Sequence, residues 1–157
     1  MILTQYYKHK FLEKSNKEEL KMAIDKAKEC LLLFDNLPGI NHAFADVIAL
    51  ALECDYAPAQ QELDNAIRCI EAAREYCNKN NTDKSVDKTH PRYYCTNARL
   101  LFFKGEEDEA YRMIAKAIDL EDTNSPNAYI RITEYTKYLM EMKIRALKKE
   151  FLEKHEG

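Results

Sequence analysis

Glycine and proline are scarce in this chain, three and four among 157 residues. So little punctuation favours long helices joined by short turns over a sheet of many strands. No segment alternates apolar and polar residues over a strand's length, which points the same way. The three glycines, Gly39, Gly105 and Gly157, stand alone, so there is no Gly-rich phosphate loop. Long apolar runs are missing too. None approaches the ~18 residues of a membrane helix, and the N-terminal MILTQYYKHK lacks a signal-peptide core. A cytoplasmic protein without a membrane span is the expectation. There is no excess of positive charge: the formal net charge is −3, against a general nucleic-acid binder. The five cysteines are an odd set without a CxxC pair or a histidine at zinc-ligand spacing. They read as small buried hydrophobes. His9, His42, His90 and His155 fall in four different elements. With no catalytic, cofactor or metal constellation in view, a non-enzymatic chain is expected.

What is present is an ordinary globular balance, 46% hydrophobic and 32% charged, in a length that suits one domain over residues 1–157. Charge is uneven. Residues 35–75 carry eight acids against Arg68 and Arg74, net −6, while residues 128–157 carry seven bases against five acids. Apolar residues recur at helical spacing almost throughout. Residues 1–13 form a short amphipathic segment with Tyr6, Tyr7, Phe11 and Leu12. Ser15-Asn16-Lys17-Glu18 reads as a capping box for a helix bearing Leu20, Ala23, Ile24, Ala27, Leu31 and Phe34. After Asn36-Leu37-Pro38-Gly39, Asn41 is expected to cap a helix carrying Phe44, Val47, Ile48 and Ala51. A turn at Ala57-Pro58 leads to a helix with Leu63, Ala66, Ile67, Ile70 and Ala73. Residues 78–90 are polar and read as an exposed loop. Ser125-Pro126 opens a last helix over about 126–155.

The clearest unit is 91–124, PRYYCTNARLLFFKGEEDEAYRMIAKAIDLEDTN. Pro91 suits a first helical turn, and Tyr94, Ala98, Leu101 and Phe102 make one face. Gly105 reverses the chain. Ala110, Ile114, Ala117 and Ile118 make the face of a second helix, and the acids of Glu106-Glu107-Asp108-Glu109 suit its start. This unit resembles a tetratricopeptide repeat, a helix–turn–helix of the same length that stacks on its neighbours. Tyr94, Ala98, Leu101, Gly105, Ala110, Ile114 and Ala117 fill family positions. Asn97, where the family has an apolar residue, and Asp122, where it has proline, depart from it. The segments MAIDKAKEC (22–30) and NAIRCIEAA (65–73) can be laid over EAYRMIAKA (109–117) as second helices of earlier hairpins. Their spacing exceeds the family period, and unrelated helical packing is the alternative for the N-terminal part. The expected fold is all-α: hairpins at about 2–35, 41–78 and 91–121 in a short tetratricopeptide-like solenoid, closed by the long last helix.

The resemblance implies a non-catalytic adaptor or scaffold that binds a peptide or protein along a groove lined by first helices. Carried onto this chain, Arg92, Cys95, Arg99, Phe102 and Phe103 would face that groove or its rim, with Tyr129, Thr133 and Lys137 from the last helix. Two arginines among aromatics suit an acidic peptide, since guanidinium forks pair carboxylates. The family's clamp of Lys and Asn positions for C-terminal carboxylates is not found. The last helix would span about 43 Å, longer than any hairpin it could pack on. Ile144, Leu147 and Phe151 in its overhang are therefore expected at an interface, with a second copy or with the rest of a larger protein. The alternative function follows: an assembly or regulatory segment of a larger protein, oligomerising through that helix.

Overall fold

The computed structural model describes residues 17–124, with side chains as far as Leu120. Five helices run through them: α1 (Lys17–Leu33), α2 (Pro38–Glu53), α3 (Leu63–Cys77), α4 (Pro91–Lys104) and α5 (Glu107–Asn124). A short 3-10 stretch (Ala57–Glu62) joins α2 to α3. No strand occurs among the described residues, in line with the all-α expectation. The segment 1–13 and the expected last helix at 126–155 lie outside them.

Helix α2 is the hub, packing on α1, α3 and α4. Every residue from 43 to 52 in it is buried. A helix that is apolar nearly all round must be covered all round, and three neighbours achieve that. The other helices bury one stripe each: Leu20, Ala23, Ile24 and Ala27 on α1, and Leu63, Ala66, Ile67, Ile70 and Ala73 on α3. On α5 the stripe is Ala110, Met113, Ile114 and Ala117. All of these belong to one core cluster together with Tyr94, Ala98, Leu100 and Leu101 of α4. Phe44, Leu20, Ile48, Ile70, Leu100 and Ile114 are fully buried, and each such side chain contributes about 1.5–3 kcal/mol.

Turn chemistry fixes how the helices meet. Helix α4 ends in Gly105, whose left-handed φ of 90° suits a residue without Cβ. The Glu106 amide donates to the Leu101 carbonyl (2.9 Å) and the Gly105 amide to Phe102 (3.1 Å), the paired ending that satisfies last-turn carbonyls. After α2, Asp55 takes the left-handed conformation at φ 61°, which a short polar side chain tolerates.

The start of α2 differs from expectation. It begins at Pro38, with extended Leu37 before it and no side-chain cap. Asn41 therefore lies inside the first turn, buried, and cannot cap. Its amide instead donates backward to the carbonyls of Asp35 (2.8 Å) and Leu37 (3.2 Å). Proline at the first helical position wins because it loses no hydrogen bond there.

Helix α4 packs on α5, and also on α3 and α2. Helices α3 and α5 are not packed on each other.

Candidate functional site

Two sides of α4 carry polar chemistry. The first faces α2. His42, Asp46 and Glu53 fall at 42, 46 and 53 on α2, and Tyr93, Thr96 and Arg99 at 93, 96 and 99 on α4, so each set makes one stripe. A ring nitrogen of His42 lies 3.0 Å from the Thr96 hydroxyl, and its ring is 4.8 Å from that of Tyr93. Further along, Arg99 donates from Nη1 to Asp46 (2.7 Å) and from Nε to Glu53 (3.0 Å), with Nη2 also on Glu53. Arg99 and Asp46 are both buried.

Arg99 was expected at a groove rim, reaching for a partner's carboxylates. The carboxylates it meets are the chain's own. Acids at 46 and 53 within an otherwise apolar helix need a buried cation, and that is the signal in the sequence that could have placed Arg99. Arg92 is exposed, Cys95 is buried, and Phe102 and Phe103 are half-buried, edge to face with 6.2 Å between ring centroids. Tyr129, Thr133 and Lys137 lie outside the described residues, as do Ile144, Leu147 and Phe151.

The second side faces α3, α5 and the loop 78–90. That loop was expected to be exposed, yet Asn81 and Thr89 are buried. The cause is Asn78, just past the end of α3. Its amide donates to Thr89 Oγ1 (2.9 Å) and to Asp87 (3.3 Å), while its carbonyl oxygen accepts from the Lys88 amide (2.9 Å). The loop is thus folded back on its own root. The Tyr94 hydroxyl donates to the second Asp87 oxygen, tying α4 to the loop. Burial raises the Asp87 carboxyl, but hydrogen bonds from Thr89, Tyr94 and Asn78 outweigh it and hold the group below its ordinary range. Tyr94 is pushed up, first by burial and then by its bond to Asp87. Arg74 of α3 lies over the Tyr94 ring, 4.4 Å from its centroid.

Cavities open on both flanks of Arg74. One, of about 500 Å³, is bounded by Arg74, Asn78, Asp87 and Tyr94. The other, about 550 Å³, lies where α3 and α5 part over α4. Glu71 and Arg74 line it from α3, Asn97 and Leu101 from α4, and Met113 from α5. Gly105 and the acids at 106–109 close its end. Asn97 is 1% exposed, and its Oδ1 has no hydrogen-bond partner. Its amide nitrogen has only the Met113 sulfur, at 3.9 Å. The buried Nε of Arg74 is likewise without an acceptor. In the sequence Asn97 stands out only as a polar residue where the resemblance implies an apolar one.

Among the described residues no group of three His, Cys, Asp or Glu side chains gathers as a metal set, and no helix is long and apolar enough to cross a membrane. No protein-family model, curated protein or solved structure matches the chain.

Proposed function

We propose that the chain is a non-catalytic interaction module, a tetratricopeptide-like helical-repeat adaptor or scaffold that binds a peptide or protein partner in the cytoplasm without a cofactor. One observation carries this reading: the order in which the helices pack. α2 pairs with α3 and α4 with α5, and α4 also leans on both helices of the pair before it. Units that bury their faces on the preceding unit extend one core along the chain and leave elongated surfaces for partners. Arg92 and Phe103 are the described candidates for contact with the partner, and Tyr129 and Lys137 join them from the expected last helix.

The test is to use the whole chain as bait in native cytosol, then to rebuild any complex from purified components. Arg92→Ala, at an exposed position, should weaken the rebuilt complex and leave the melting temperature in place. A chain that forms no reconstituted complex with any captured protein counts against the reading.

A second reading, an assembly or regulatory segment of a larger protein, draws on a separate observation. Leu32, Leu33, Phe34 and Leu37 are 88%, 74%, 53% and 47% exposed around the corner from α1 to α2. Apolar side chains gathered on a surface commonly mark an interface. Light scattering decides: a dimer that Leu33→Ser with Phe34→Ser returns to monomer favours assembly, and a concentration-independent monomer favours the adaptor.

A further inference from the structure

We propose that the cavity between α3 and α5 is a binding site for a basic side chain, lysine or arginine, presented by an extended peptide. The proposal rests on the interaction-module reading and names the chemistry of its partner.

Charge is the first consideration and is not sufficient. Glu106 and Asp108 are exposed at the cavity's end, Glu71 stands on α3, and Glu109 is paired to Arg112. Acids at the start of α5 stabilise that helix end in their own right. By themselves they call for no ligand.

Asn97 does. A side-chain carbonyl buried in an apolar setting without a donor is destabilising, and an apolar residue of similar volume would avoid the penalty. The orientation of the amide follows from its neighbour: N–H toward the Met113 thioether is a weak donor–acceptor contact, whereas the reverse would set two acceptors together. The group left without a partner is therefore an acceptor, on a residue that lines a cavity rimmed by carboxylates. A donor carrying positive charge satisfies both features at once, and ammonium and guanidinium groups are the biological examples.

Arg74 decides between a peptide and a free amine. Arg74 lines the same cavity, and its buried Nε–H lacks an acceptor. A simple diamine offers none. A peptide brings main-chain carbonyls beside its basic side chain, so one occupant can donate to Asn97 and accept from Arg74. The Arg74 guanidinium is also stacked on the Tyr94 ring, 4.4 Å from its centroid. A volume of about 550 Å³ lies within the range of small-ligand pockets, about 300–1,000 Å³.

The probe is a synthetic peptide of alternating glycine and lysine, titrated into the full chain by calorimetry at low and high salt. A glycine–glutamate peptide and a free alkyl diamine serve as comparisons. The lysine peptide should bind, more weakly at high salt, and more tightly than the diamine. The glutamate peptide should not bind. Asn97→Leu should weaken the lysine peptide about tenfold or more, the factor that losing one hydrogen bond to a charged donor carries. If that variant fails to fold, Glu106→Lys with Asp108→Lys, both on exposed positions, should abolish binding. Tighter binding of the glutamate peptide overturns the proposal, as does equal binding of the diamine or indifference to both variants. Should a captured partner bind Asn97→Leu as well as the unaltered chain, the cavity assignment fails while the module reading stands. Should no partner be captured and the lysine peptide still bind through Asn97, the site stands and the adaptor reading fails.

Discussion

Arg99 and Asn97 sit two residues apart on α4, both buried, and their surroundings are opposite. Two residues along a helix turn the side chain through more than half a revolution, so Arg99 points to α2 and Asn97 to the side of α3 and α5. On the α2 side the guanidinium has two carboxylates waiting, Asp46 and Glu53. On the other side the amide oxygen has none of the donors it needs. A buried polar group that is fully paired serves the fold, whereas one left half-paired beside a cavity is mildly harmful to the fold and available for something else. The contrast separates the structural polar seam of this molecule from its candidate recognition surface.

The largest effect is expected at Arg99. Replacing it with methionine keeps much of the volume but strands two acids in a buried seam. The expected loss is about 3–5 kcal/mol, the range for removing one partner of a buried ion pair, read from urea denaturation. A loss below about 1 kcal/mol, the range of surface pairs, would mean that the seam is open to water and Arg99 is free to serve a partner after all.

Tight packing of α5 distinguishes a shaped cavity from a loosely packed region. Ala110 and Ala117 share α5 with Met113 of the cavity lining and are fully buried in the common core. If α5 is tightly seated, Ala110→Leu has no room and should destabilise by about 1–3 kcal/mol through overpacking. A melting temperature that barely moves would show slack packing around the cavity, whose shape would then not be fixed by the fold.

Sequence reading was good at what is local and periodic. The stripes on α1 and α3 were legible because Leu20, Ala23, Ile24 and Ala27, or Leu63, Ala66, Ile67, Ile70 and Ala73, repeat at helical spacing. The α4–α5 turn was legible because Gly105 has few other uses there. The beginning of α2 was misread since Pro38 and Asn41 are both start signals, and local sequence does not rank them. Pairing was the main loss. Arg99 finds acids 46 and 53 positions earlier, and nothing local reports such a contact. The loop 78–90 looked exposed because its residues are polar. Its order comes from one amide, Asn78, bonding several of them at once.

On the cavity side the loop network sets paired polar groups beside the unpaired ones. Asp87 is held below its ordinary value of 3.8 in the folded chain. A carboxyl depressed by folding stabilises the fold above its unfolded pKa, and that contribution disappears as pH falls through the lower, folded value. Asp87→Asn should therefore lower stability near neutrality by no more than about 1 kcal/mol, the group being partly in water. The gap between variant and unaltered chain should close in acid below 3.8. A gap that is constant across the acid range would mean that the Asn78 bonds, and not the Asp87 charge, hold the loop.

The smallest expected effect is the most informative. Asn97→Leu exchanges an amide for an apolar side chain of the same branched shape at a site where the oxygen has no partner and the nitrogen has only a sulfur at 3.9 Å. An unsatisfied buried acceptor carries a penalty of about 1–3 kcal/mol, and leucine removes it. The amide's weak contact with Met113 is the only hydrogen bond lost. Stability should therefore stay level or rise, in direct contrast with Arg99→Met on the same helix. Denaturation of the two variants side by side checks this. If Asn97→Leu loses as much as Arg99→Met, then Asn97 is paired in solution, the two sides of α4 are alike, and the cavity has no unmet need for a ligand's donor. If it gains stability while the lysine peptide loses affinity, the side chain is retained at the expense of the fold, the usual sign of a residue kept for binding.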